Sequence, residues 1–178
     1  VGLLVIPQKP WEDVEKDFEV YHKVFEEENA TPAPAPLCGG FYFVDESADR
    51  AEEMARRDIG GYYHTVMKHY EFTAGHLSTT KGYEYYSAVD KYIDKRTGDG
   101  AAEDFMRLMP FGTPQQVLEK IERIHGIIGN NACMAHFSYA GMPYDEAERN
   151  MRLFADKVLP EVKSMKMSSA PLSVSKAA

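Results

Sequence analysis

Residues with the means for chemistry are few in this sequence and widely spread: the cysteines Cys38 and Cys133, six histidines, and a tyrosine-rich stretch from Tyr62 to Tyr86. The cysteines have no CxxC spacing, so no redox motif or zinc knuckle is written into the chain. Their apolar, strand-like surroundings favour two reduced core thiols in a cytoplasmic protein, with a disulfide or a shared metal as the alternative. His64, His69 and His76 suggest a metal set. Ligands on one helical face must stand three or four residues apart, however, and these follow one another by five and seven. Solvated or packed histidines are therefore expected, and no metal. His136 lies within an apolar strand and reads as a core histidine rather than a base, with a pocket role as the alternative. GxSxG, P-loop and GxGxxG patterns are absent, which leaves a hydrolase elbow, a triphosphate cradle and a Rossmann site without support.

Bulk properties narrow the partners. A net charge of −8 repels phosphate backbones and anionic lipid, so nucleic acid is not an expected partner. No apolar run approaches the ~20 residues that span a bilayer, so no membrane is expected either. The opening VGLLVIPQKP lacks a basic n-region and suits a buried strand better than a signal peptide. The hydrophobic content of 44% permits one globular domain with a real core.

The elements that must position any site follow from local pattern. Gly2 to Ile6 is a short apolar run closed by Pro7, the form of a buried parallel strand. Pro10 suits a first helical turn, and Glu12 and Asp13 its positive end. Trp11, Val14, Phe18, Tyr21 and Phe25 then make one helical stripe that ends at Glu26 to Asn29. Thr31 to Pro36 is a stiff extended connector. Leu37 to Val44 is a second strand, in which Gly39 and Gly40 predict a bulge or the close approach of another group. Ser47 caps a helix through Ala51, Met54, Ala55, Ile59, Tyr62 and Val66, where Gly60 and Gly61 predict a kink or close packing.

From about 72 to 110 the chain reads as a helical insertion, Tyr83 to Ile93 being its best helix. Thr113 and Pro114 are N-cap and first helical residue, and Val117, Ile121, Ile124 and Ile128 face a core. Asn131 to Tyr139 is a third strand. Pro143, Asp145 and Glu146 open a last helix with the stripe Ala147, Met151, Phe154 and Val158, which Pro160 bends or restarts. Residues 167–178 read as a disordered tail. Strands alternating with helices predict an α/β fold with parallel crossovers.

The order of these segments resembles the bacterial luciferase-like, flavin-dependent monooxygenases. GLLVIPQKPWEDVEKDFEVYHKVFEE is similar to their sixth strand and helix. Cys38 to Asp45, followed by ESADRAEEMARRDIGGYYHTVMKHYEF, is similar to the seventh strand and its long helix. FGTPQQV and RLFADKVLPEV are similar to the final unit. The resemblance spans residues 2–165 and implies a partial (β/α)8 TIM barrel, about the last three β/α units, with a helical insertion. A complete barrel of this type runs to about 250 residues, ~200 at the low end; this sequence has 178.

The resemblance further implies an enzyme that uses FMN and oxygen to oxygenate a small organic substrate, the flavin carrying the difficult chemistry. A deazaflavin carrier remains an alternative. The family's principal acid–base histidine, reactive thiol and much of its phosphate-binding segment belong to the first five units, which have no counterpart in these residues. The chain is thus expected to be inactive without N-terminal units. Barrel sites form at the C-terminal ends of strands, which nominates Pro7, Gln8, Lys9, Phe43, Val44, Ser138 and Tyr139 as flavin or substrate-pocket residues. The tyrosine-rich stretch becomes a candidate lid; helix packing with hydroxyls reaching water is the other reading. The alternative function is a non-catalytic, self-associating α/β module. An open set of parallel strands exposes edges and an apolar face, so a homo-oligomer is expected on either reading.

Overall fold

The computed structural model describes residues 2–72, 74–83 and 99–165. Strand β1 (Leu4–Val5) leads through Pro7 into helix α1 (Trp11–Asn29), which buries Trp11, Val14, Phe18 and His22. Strand β2 (Leu37–Phe41) runs parallel between β1 and β5 (Ala132–His136). Their register aligns Val5 with Cys38, Cys38 with Cys133 and Phe41 with His136. At Tyr42 the strand changes partners, and β3 (Phe43–Val44) pairs in parallel with β4 (Phe111–Gly112). The single strand expected over Leu37 to Val44 is therefore two. Strand β4 has too few residues to show a periodicity.

Pairing is continuous through Gly39 and Gly40, so neither marks a bulge. Close approach is the reason for both. A Cβ at Gly39 would meet Ile6 Cγ1 at 3.3 Å, and one at Gly40 would meet Met109 Sδ at 3.4 Å.

Helix α2 (Ala48–Ala55) begins at Ser47, whose hydroxyl accepts from the Arg50 N–H. It passes through a π-helical turn, Arg56–Gly60, into α3 (Gly61–His69). The paired glycines, where a kink or close packing was expected, stand at the end of this π turn and the start of α3. Close packing is not its cause, because a Cβ on Gly60 or Gly61 would meet nothing within 4 Å. Helix α4 (Gly100–Arg107) buries Ala101, Ala102 and Met106. The end of the expected insertion is thus part of the core, because its small residues let α4 pack against the π turn. The remainder of the helix expected over Tyr83 to Ile93, and the tail at 167–178, lie outside the described residues.

Helix α5 (Pro114–Ile128) opens with a capping box between Thr113 and Gln116 and closes on Gly129 in the left-handed region. Helices α6 (Tyr144–Lys157) and α7 (Leu159–Ser164) follow, Pro160 restarting the chain rather than bending it.

Alternation along β2 divides the sheet. Cys38 and Tyr42 face the helices: Cys38 packs with Trp11, Val14, Phe18, Ile124 and Ile128, and Tyr42 with Val117, Ile121 and Val158. Each large side chain buried this way contributes about 1.5–3 kcal/mol. The Trp11 indole also donates to the Leu108 carbonyl at 3.1 Å, tying α1 to the end of α4. The opposite face is open toward the strand N-termini, where Leu4, Ile6, Leu37 and Met134 stand 49%, 51%, 42% and 51% exposed. Among the described residues the strands form a three-stranded and a two-stranded sheet, and no barrel closes. No described helix is long and apolar enough to cross a membrane.

Candidate functional site

The C-terminal ends of the parallel strands converge on an aromatic ledge built around Phe41. Its ring lies 4.5 Å from Tyr62, 4.6 Å from Tyr139 and 6.1 Å from His136, centroid to centroid. Phe105 stacks on Tyr62 at 6.3 Å and 20° and packs against Tyr63 at 5.5 Å. The sequence explains the convergence. Phe41 is the last residue of β2 and His136 the last of β5, in register, while α3 and α4 carry Tyr62 and Phe105 over Phe41. The ledge continues the exposed face of Leu37, Ile6 and Met134, and its Phe41, Tyr62 and Phe105 are half-buried.

A second layer fixes this end of the fold. Asp45, the residue after β3, is buried and accepts from the Ser47 N–H at 2.8 Å and from Arg50 and Arg149. Glu146 pairs with the same two arginines. Burial pushes the Asp45 carboxyl up, but the Ser47 N–H and the two guanidiniums outweigh it and hold the carboxyl below its usual range. Glu146 is also lowered, chiefly by its bond from Arg50. Asp58, buried behind Tyr139, takes a two-pronged contact from Arg57 at 2.7 and 2.9 Å. Burial, with the Asp58 charge, raises the Tyr139 hydroxyl far above its ordinary value. Tyr139 therefore stays protonated and acts as a donor, to the Tyr42 carbonyl at 3.3 Å.

The nominated pocket residues divide by exposure. Pro7 is wholly buried, Gln8 is exposed, and Lys9 is held by Asp17 at 2.6 Å. Phe43 and Val44 are also wholly buried, each in a different packed cluster, so their side chains face no open space. Ser138 is exposed at the rim, and Tyr139 is the nominated residue that joins the ledge. His136, expected in the core, is exposed, because the face of β5 it occupies carries no helix. His64 contacts Asp99 at 3.3 Å on the surface, and no described group of three or more His, Cys, Asp or Glu could hold a metal. Of the tyrosine-rich stretch, Tyr62 and Tyr63 pack on Phe105 while Tyr70 stands 59% exposed against Phe72. Tyr85 and Tyr86 lie outside the described residues.

Phe41, Phe105 and Asn150 were not singled out by pattern. Phe41 is one apolar residue among several in its strand, and Asn150 is a polar residue whose burial no local pattern encodes.

An open cleft of about 630 Å³ lies apart from the ledge, between α2, β4 and α5, and includes Glu52, Arg107, Lys120 and Arg123. The Lys120 ammonium sits 3.4 Å over the Phe111 ring, and burial lowers it to about 8. Arg123 there is paired with Glu12 of α1.

No protein-family model matches the chain, and no curated protein does. Solved structures do. The oxygenating constituent of 3,6-diketocamphane monooxygenase from Pseudomonas putida, a type II Baeyer–Villiger enzyme in complex with FMN, matches with a TM-score of 0.57 and 20% identity over 89% of this chain. The monooxygenase RslO1 from Streptomyces bottropensis matches with a TM-score of 0.55 and 21% identity over 90% of the chain. Apo-MsnO8 matches with a TM-score of 0.52 and 15% identity over 89%. The chain spans 42%, 41% and 45% of these three structures, respectively. The likeness establishes the fold class: a mixed α/β unit that corresponds to part of a larger monooxygenase fold.

Proposed function

We propose that this chain is the C-terminal portion of a flavin-dependent monooxygenase that oxidises a small organic substrate, and that its strand ends form one wall of the flavin and substrate pocket. The observation that carries this reading is the half-open aromatic ledge of Phe41, Tyr62, Phe105 and Tyr139, continuous with an exposed apolar sheet face. A wall of this kind suits a flat conjugated ring. The residues present fit the ring end of FMN, because the rings of Phe41 and Tyr62 border an exposed apolar sheet face. They do not fit the phosphate end: among the described residues, Lys9, Arg50, Arg57 and Arg149 near these strand ends are each already in ion pairs. The phosphate would have to be held by other β/α units.

When bound, the flavin supplies the reaction with oxygen. This chain's residues exclude water from one side of the ring through Phe41 and Tyr62. Tyr139, bonded to the Tyr42 carbonyl, holds Phe41 in place. His136 and Ser138 are the polar side chains at the rim that a ligand could reach. The test is titration of the purified chain with FMN, alone and co-expressed with the first five β/α units of a structural neighbour. An absorbance shift with fluorescence quenching in the paired sample supports the reading, and its absence from both samples rejects it.

The second reading, a non-catalytic module that self-associates, is favoured by the exposed Leu4, Ile6, Leu37 and Met134 and by β1 and β5 each having one described neighbour. A homo-oligomer that binds no flavin in either titration would support it.

A further inference from the structure

The observations on the helix-facing side of the sheet carry a separate reading, independent of flavin. Cys38 and Cys133 are register partners on adjacent parallel strands. Neighbouring strands lie about 4.7–4.9 Å apart, inside the range of roughly 4.4–6.8 Å between Cα atoms that a disulfide spans. The two sulfurs are in contact at 3.1 Å. The Asn130 amide donates to both, at 3.3 Å to Cys38 and 3.2 Å to Cys133, which positions the thiols toward each other. The pair is asymmetric: Cys38 is buried and Cys133 exposed. The Cys133 thiol is lowered to about 6, first by the bond from Cys38 and then by Tyr42, Asn130 and His125, whereas its contact with Cys133 and burial raise Cys38. A part-buried thiol on an exposed residue, lowered despite its burial, beside a raised and buried partner is the arrangement of an attacking and a resolving cysteine.

We propose that Cys38 and Cys133 are a peroxide-oxidisable dithiol, a reversible modification site that staples β2 to β5. The oxidant is hydrogen peroxide. The Cys133 thiolate attacks one peroxide oxygen, the O–O bond breaks, and hydroxide leaves and takes a proton as water, giving a sulfenic acid. The Cys38 sulfur then attacks the Cys133 sulfur; the S–O bond breaks, the Cys38 proton leaves with the hydroxyl as a second water, and the S–S bond forms. Two thiols are oxidised by two electrons and one peroxide is reduced to two waters. Strand β5 has β2 as its one described neighbour, so the bond would fasten an edge that backbone pairing holds from one side.

The test is thiol counting and intact-mass analysis of the full chain at neutral pH after a small excess of hydrogen peroxide. The wild type should lose both thiols and about 2 Da, show a Cys38–Cys133 linked peptide in an unreduced digest, and regain both thiols with dithiothreitol. Cys38→Ser should stop at a sulfenic acid on Cys133, a gain of about 16 Da that dimedone traps. Asn130→Ala should slow disulfide formation several-fold. The wild-type measurement needs no variant to fold. Retention of both thiols, oxygen addition with no loss of about 2 Da, or a disulfide-linked dimer as the main product would each overturn the proposal.

Discussion

Asn150 bridges the point where the central strand changes partners: its Nδ2 donates to the Tyr42 carbonyl at 2.8 Å, and its Oδ1 accepts from the Val44 N–H at 2.8 Å. Strand β2 pairs with β5 up to Phe41, and β3 pairs with β4 from Phe43 onward. The buried amide supplies bonds that a neighbouring strand would otherwise give. Leaving such groups unmade costs about 1–3 kcal/mol each. Asn150→Ala takes the partner from the Val44 N–H, while the Tyr42 carbonyl keeps its bond from the Tyr139 hydroxyl; it should lower stability by about 1–3 kcal/mol, read as a fall in the urea midpoint with an unchanged m-value. Asn150→Asp should be at least as severe, since it loses the donor and buries a charge. A loss below about 0.5 kcal/mol for either variant would show that the amide is not needed at the junction.

The Asp45 network should give the fold an acid limit. The Asp45 and Glu146 carboxyls are both depressed in the folded state. Their contribution is therefore fully present above the unfolded carboxylate range, about 3.9–4.3, and is lost as pH falls through the lower folded values. Stability followed by urea melts should be level around neutrality and drop below about pH 4. Asp45→Asn should be less stable at neutral pH, with a shallower acid slope. The half-exposed arginines keep the effect modest, and an unchanged slope would remove Asp45 from the network's titration.

Gly112 should tolerate no side chain. Its φ of +139° lies where L residues are strained, and a Cβ would sit 2.6 Å from Gln116 Oε1 and 2.8 Å from Gln116 Cβ. That same Oε1 accepts from the Thr113 N–H to complete the capping box. Gly112→Ala should cost about 2–4 kcal/mol from strain and the lost cap together. Thr113→Ala, which removes one capping bond without strain, should cost about 1 kcal/mol. Equal losses in thermal melts would contradict the steric argument.

The open sheet face should make the isolated chain associate. Sedimentation equilibrium at tens of micromolar is expected to give a mass above the monomer. Leu4→Lys with Met134→Lys, both at exposed positions on that face, should restore the monomer without loss of helical signal. A wild-type monomer at these concentrations would mean that the face is covered within the chain itself.

Local chemistry was legible from the residues alone wherever a side chain acts on its own backbone or helix. The stripe of α1, the Ser47 and Thr113 caps and the Pro160 restart all depend on neighbours within a turn. The parallel crossovers were legible for a related reason, since strand–helix alternation leaves few ways to cover both elements. Contacts between residues far apart in the chain were not. Met151, which the apolar stripe of α6 predicts to be buried, is 49% exposed, and Asn150 takes the buried position at the strand junction with Leu153 packed nearby. His136, expected in the core, is exposed, since the burial of a strand face depends on what packs over it.

The sequence by itself determined where α1, α2, α5 and α6 begin, that the strands run parallel, and that no nucleotide or hydrolase motif is present. Only the tertiary structure decided that Cys38 and Cys133 touch, that Phe41 gathers an aromatic ledge, and that a buried asparagine joins two sheets. The reason is range. Periodicity and capping are set by bonds spanning a few residues, whereas strand register and face exposure are set by partners some ninety or more positions away, which no local pattern encodes.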